Sequence, residues 1–146
     1  MTAVDLYQQL IIEHSKRPHG EGLRDPFAAQ AHHVNPTCGD EITLRVALAG
    51  DTVEDVSYDA LGCSISRASA SVLHDLVVGR SLEEVVTVRD AVQHMLTSRG
   101  EDEGDEDVLG DAVALAGVAK YPARVKCALL SWSALADALL RAPSPT

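Results

Sequence analysis

The chain has 146 residues, of which 46% are hydrophobic and 23% charged, values of an ordinary globular protein and not of a disordered, collagenous or disulfide-stapled one. That length predicts a single domain, residues 1–146, able to bury a core without a metal or a disulfide to hold it. A formal net charge of −10 argues against a general nucleic-acid binder, because such proteins use Lys and Arg to displace counterions from phosphates.

From residue 5 to about 16, Leu6, Tyr7, Leu10 and Ile11 recur at helical spacing, and Pro18 and Gly20 stop the pattern. Asp5 and Glu13 flank this short apolar patch, and no apolar run approaches the roughly 18 to 20 residues of a bilayer helix. A cytoplasmic protein without a membrane span is expected. Residues 20–38 hold no period and read as an extended or looping stretch. Ile42, Leu44, Val46 and Leu48 then alternate with Thr43, Arg45 and Ala47, Gly50-Asp51 makes a turn, and residues 53–61 complete an antiparallel hairpin.

At Gly62 the period changes. Ser64 or Ser66 is expected to cap a helix with Ala70, Leu73 and Val77 on one face, ending near Gly79. Ser81-Leu82-Glu83-Glu84 has capping-box spacing and opens a further helix through Val85, Val88, Val92 and Leu96. The run from Glu101 to Asp107 then places six carboxylates together without a cation, a solvated loop or a surface for a basic partner. A short helix at 109–118 and a last one at 122–141 follow, with Pro122 suited to the first helical position. A small sheet followed by several helices predicts an α+β fold.

Three cysteines stand at junctions: Cys38 in Asn35-Pro36-Thr37-Cys38-Gly39-Asp40, Cys63 where a strand enters a helix, and Cys127 in the early turns of the last helix. Helix beginnings favour thiolate over thiol. The odd count leaves metal ligation, reactive thiol chemistry or plain burial open. With Asp40 the set offers three sulfurs and one oxygen, the number tetrahedral zinc takes, although separations of 25 and 64 residues give no CxxC signature. No GxGxxG, P-loop, GxSxG or HExxH motif occurs.

Asn35-Pro36-Thr37-Cys38-Gly39-Asp40, Gly62-Cys63-Ser64-Ile65-Ser66 with Ala68-Ser69-Ala70-Ser71, and Tyr121-Pro122-Ala123-Arg124-Val125-Lys126-Cys127-Ala128 with Trp132 together resemble the SufU branch of the IscU/NifU-N family of iron–sulfur cluster assembly proteins. The likeness runs nearly end to end. Lys126 stands where the scaffold branch has a His, Tyr121-Pro122-Ala123-Arg124 replaces the Pro-Pro-Val type segment gripped by a chaperone, and residues 97–107 look like the insertion that marks SufU proteins.

The resemblance implies a SufE/IscU-like fold, a small antiparallel sheet packed on several helices, and one zinc ion held by Cys38, Asp40, Cys63 and Cys127. It further implies a pyridoxal-phosphate cysteine desulfurase of the SufS type as partner, Cys38 as the catalytic acceptor of its persulfide sulfur, and downstream Suf scaffold proteins as recipients. Arg124 and Lys126 are supporting candidates that can stabilise an anionic persulfide or orient the partner. A scaffold holding a transient [2Fe-2S] cluster on the same residues is the alternative. A cysteine hydrolase with a His base is the third reading, and His14, His32, His33, His74 and His94 are too scattered to favour it. Trp132 is expected in the core, and Ser64, Ser66 and Ser69 are expected as caps.

Overall fold

The alternation of Ile42, Leu44 and Val46 sends one face of a strand into the interior, where their exposures are 2%, 0% and 0%, and the sheet is built around that strand. The computed structural model describes residues 3–37 and 39–143. Within them β1 (Ala29–Asn35), β2 (Asp40–Ala49) and β3 (Thr52–Leu61) form an antiparallel sheet in the order β1-β2-β3. Gly50 takes the left-handed conformation that the tight β2–β3 turn needs. Val53, Val56 and Tyr58 of β3 complete the buried face.

Helices α1 (Ala3–Lys16), α2 (Ser64–Val77), α3 (Leu82–Thr97), α4 (Glu106–Leu109) and α5 (Pro122–Arg141) follow the predicted order, with a 3-10 segment over Gly110–Lys120. Helix α5 lies against β1 and β2, and α2 against β3, α1 and α5. The capping box of α3 is present, Ser81 accepting from the amide of Glu84 while the Glu84 carboxylate accepts from the amide of Ser81, and Pro122 begins α5. Among the described residues no helix is long and apolar enough to cross a membrane.

Three expectations are sharpened or corrected. Residues 29–35, part of the stretch read as extended or looping, form strand β1; its inward residues are Ala29, Ala31 and Asn35, two of them small and one polar, so the alternation carries little hydrophobic contrast. Neither Ser64 nor Ser66 caps α2: Cys63 occupies the N-cap, and the Ser66 hydroxyl donates back to the Cys63 carbonyl at 3.1 Å. The short helix predicted at 109–118 is the 3-10 segment, entered through α4. Within the acidic run, Asp102 Oδ2 lies 2.7 Å from His94 Nδ1, and this hydrogen bond together with the Gly104 amide holds the Asp102 carboxyl below the usual carboxylate range. Gly104 packs where a side chain would strike Met95, Leu109 and Val113, so the acidic segment is fastened to the core.

A candidate metal centre at the end of the sheet

The first donor comes from a hairpin. Asn35 and Asp40 face each other across β1 and β2, and the turn between them is closed by two bonds to Asn35: its carbonyl accepts from the Gly39 amide at 2.9 Å, and its side-chain oxygen accepts from the Thr37 amide at 3.2 Å. Cys38 itself lies outside the described residues. Asp40 opens β2 and is buried, 1% exposed, with Oδ1 accepting the backbone amide of Cys63 at 2.9 Å. The start of α2 is thereby anchored to the sheet by a carboxylate from another strand.

The second donor, Cys63, is delivered by β3 through Gly62. A Cβ at Gly62 would overlap the Asp40 carboxyl group and crowd Ser66 Oγ, so glycine is what lets strand and carboxylate meet. Cys63 is exposed, and its sulfur stands 3.6 Å from Asp40 Oδ2 and 3.9 Å from Ser66 Oγ. The third donor, Cys127, is buried in α5, 4% exposed, one turn beyond Ala123, whose carbonyl is 3.7 Å from the sulfur. Asn35 Nδ2 points at the same sulfur from 4.0 Å.

Donor atoms of Asp40, Cys63 and Cys127 all lie within 4.8 Å of one another. A tetrahedral zinc ion, at about 2.3 Å from sulfur and about 2.0 Å from oxygen, spaces its ligand atoms roughly 3.5 to 3.8 Å apart. The three donors therefore need only small movements to share one ion. Two sulfurs and a carboxylate oxygen are donors of the kind zinc takes, so the donor set fits a divalent metal.

Arg124 and Lys126 are exposed on the first turns of α5, and neither side chain makes a hydrogen bond or ion pair among the described residues. The histidines are engaged elsewhere. His14 bonds Ser71 and Asp111, His19 Asp75, His32 Thr43, His33 Asp137, His74 the Val56 carbonyl and His94 Asp102. The base that a cysteine hydrolase requires is thus committed to other partners.

Two residues around the centre escaped the sequence reading. Asn35 shapes the hairpin turn and touches Cys127, and only its place in the Asn-Pro-Thr-Cys-Gly-Asp run hinted at it. Ser69, expected as a cap, is a tie between helices: fully buried, it donates to the Ala128 carbonyl at 2.6 Å and accepts from Trp132 Nε1 at 3.1 Å. This bond joins α2 to α5 beside Cys127 and so helps fix the spacing between the two sulfurs. Trp132 is in the core as expected, 2% exposed. Ser69→Ala strands the Trp132 N–H in the interior, and a loss of about 1 to 3 kcal/mol is expected in urea unfolding.

The arrangement defines a small α+β protein that gathers thiols and a carboxylate at one end of an antiparallel sheet. The model of the NifU-like N terminal domain matches residues 6–128, and the chain belongs to that family. It is 43% identical over 136 residues to the iron-sulfur cluster assembly scaffold protein IscU of Streptococcus pyogenes serotype M1, covering 93% of this chain and 84% of that protein. It is 44% identical over 131 residues to the zinc-dependent sulfurtransferase SufU of Bacillus subtilis (strain 168), covering 89% and 86%. Among solved structures, FiSufU from Fervidobacterium islandicum AW-1 has a TM-score of 0.80 at 33% identity, covering 94% of this chain and 99% of that one. The expected α+β architecture and the family resemblance both hold.

Proposed function

We propose that the chain serves iron–sulfur cluster assembly as a zinc-dependent sulfur acceptor, taking persulfide sulfur from a SufS-type cysteine desulfurase onto Cys38 and passing it to downstream Suf scaffold proteins. The observation that carries this reading is the convergence of Asp40, Cys63 and Cys127 donor atoms within 4.8 Å, with Asp40 two residues along the chain from Cys38. The name of the Bacillus subtilis relative agrees with it.

Zinc held by Cys38, Asp40, Cys63 and Cys127 would keep the thiols ionised near neutral pH. Cys63, at the N-cap of α2, and Cys127, inside α5, are tied to helices, whereas Cys38 falls in the chain between β1 and β2, so it is the sulfur assigned to leave the metal. As a thiolate, Cys38 attacks the outer sulfur of the partner's persulfide. A sulfur–sulfur bond forms at Cys38 as the bond to the partner's cysteine breaks, and that cysteine departs with the electron pair as a thiolate, so no external oxidant or reductant is consumed. Arg124 and Lys126, exposed ahead of Cys127, supply positive charge for an anionic persulfide. Leu61, Tyr121 and Val34 stand 62%, 59% and 52% exposed within a few residues of Cys63, Cys127 and Asn35, an apolar rim suited to a docked protein.

Turnover of a cysteine desulfurase, measured with and without this chain and before and after chelation, tests the reading. Stimulation is expected, is lost on chelation and returns on adding zinc. Stimulation indifferent to chelation would overturn zinc dependence.

The Streptococcus pyogenes relative, named as a scaffold, favours a second reading in which the same donors hold a transient [2Fe-2S] cluster. Anaerobic iron and sulfide would then displace zinc and yield a cluster transferable to an apo-ferredoxin; retained zinc without transfer excludes it.

A further inference from the structure

At the opposite end of α2 from Cys63, a second group of metal-type donors comes together. His14 lies in the last turn of α1, Asp75 in the last turn of α2, and His19 in the connection after α1. One donor atom from each lies within 4.8 Å of the other two. We propose that His14, His19 and Asp75 form an exchangeable zinc site, distinct from the thiolate centre and about 18 Å from Cys63 by the rise of twelve helical residues.

The hydrogen bonds prepare His14 for this role. Its ring is 5% exposed and held at both nitrogens: Nε2 is 3.0 Å from Asp111 Oδ2, and Nδ1 is 2.6 Å from Ser71 Oγ. Ser71 Oγ also accepts the backbone amide of His19 at 2.8 Å, so the Nδ1 edge faces the connection that carries His19. With Nε2–H donating to the Asp111 carboxylate, Nδ1 keeps a lone pair, now satisfied by the Ser71 hydroxyl proton. Turning that hydroxyl aside frees Nδ1 for a metal while Asp111 stays on the far nitrogen, the carboxylate–histidine–metal pattern that orients ligating imidazoles.

His19 Nδ1 and Asp75 Oδ2 are 2.7 Å apart, closer than the roughly 3.3 Å of two ligands on one tetrahedral zinc. In the metal-free form a hydrogen bond joins them, and a cation entering between them takes its place. His19 is held near α2 from a second side, because its carbonyl accepts from Tyr58 OH at 2.7 Å. Its side chain and that of Asp75 are 51% and 42% exposed, so water can complete the coordination, as an exchangeable site requires. Two helix C-terminal turns add partial negative charge. Two imidazoles and one carboxylate select zinc-like ions over magnesium or calcium.

Zinc uptake by the full chain, counted by equilibrium dialysis against buffered free zinc, tests the site. The His19→Ala/Asp75→Asn variant is expected to lose one zinc equivalent per chain relative to the unaltered protein, and both altered side chains are exposed, so the fold is kept. A Cys63→Ser/Cys127→Ser variant is expected to keep that equivalent, and cobalt bound there lacks the strong sulfur-to-metal absorption of a thiolate complex. Added zinc shifts the ring-nitrogen resonances of His14 and His19 in the unaltered chain. Equal uptake by the His19→Ala/Asp75→Asn variant, or unmoved His14 and His19 resonances at saturating zinc, overturns the proposal.

Discussion

Cys38→Ala is expected to return a cysteine desulfurase to its unstimulated rate while the chain keeps its fold and still binds zinc through Asp40, Cys63 and Cys127. The three remaining donors keep contacts of their own: Asp40 its bond to the Cys63 amide at 2.9 Å, Cys63 its place at the start of α2, and Cys127 its burial in α5. Cys38→Ser sharpens the test, because oxygen does not accept persulfide sulfur as a thiolate does. Cys63→Ser and Cys127→Ser, by contrast, are expected to lose metal and stimulation together. The measurements are alanine release by the desulfurase, zinc content after desalting, and mass spectrometry of the chain for an added sulfur. Full stimulation by Cys38→Ala would move the acceptor role to another sulfur.

Gly62→Ala is the second large effect, since it adds a single methyl group where the Asp40 carboxyl already stands. Either the carboxylate swings away and gives up the Cys63 amide, or the β3–α2 junction shifts and carries Cys63 with it. Overpacking with loss of a buried hydrogen bond is expected to cost about 2 to 4 kcal/mol in urea unfolding of the metal-free chain. Zinc affinity is expected to fall by roughly 10- to 100-fold, the scale of disturbing groups that orient metal ligands. Gly50→Ala is the control: an added Cβ there meets nothing within 4 Å, so it reports only the left-handed backbone, about 1 to 2 kcal/mol. Equal losses of zinc affinity in the two variants would show that Gly62 makes no specific room for Asp40.

The sequence disclosed the parts of this fold that rest on strong local signals. Ile42, Leu44 and Val46 announce β2 because bulky residues alternate with polar ones, and Ser81 with Glu84 announces α3 because the capping box is a short-range bond. Strand β1 showed only as part of an extended or looping stretch, because its inward positions include Ala29, Ala31 and Asn35 and its place is set by pairing with β2, a tertiary fact. The 3-10 segment over Gly110–Lys120 buries Ala112, Val113, Ala114, Leu115, Val118 and Ala119, a pattern that reads as a helix until packing tightens it. At the candidate centre, residue types and local wording singled out the cysteines and Asp40, but not the approach through Gly62, the Asn35 contact or the Ser69 tie. Those depend on side chains from separate elements meeting, which no spacing along the chain encodes.

Helix α2 presents Cys63 at its N-cap, Ser69 toward α5 midway, and Ser71 and Asp75 toward α1 and His19. Each added residue would swivel everything beyond it by about 100° and push it on by about 1.5 Å, so neither an insertion nor a deletion inside this helix can leave all four in phase. One residue added or removed between 63 and 75 is therefore expected to uncouple the two ends of the helix, because neither group of side chains can be moved without the other.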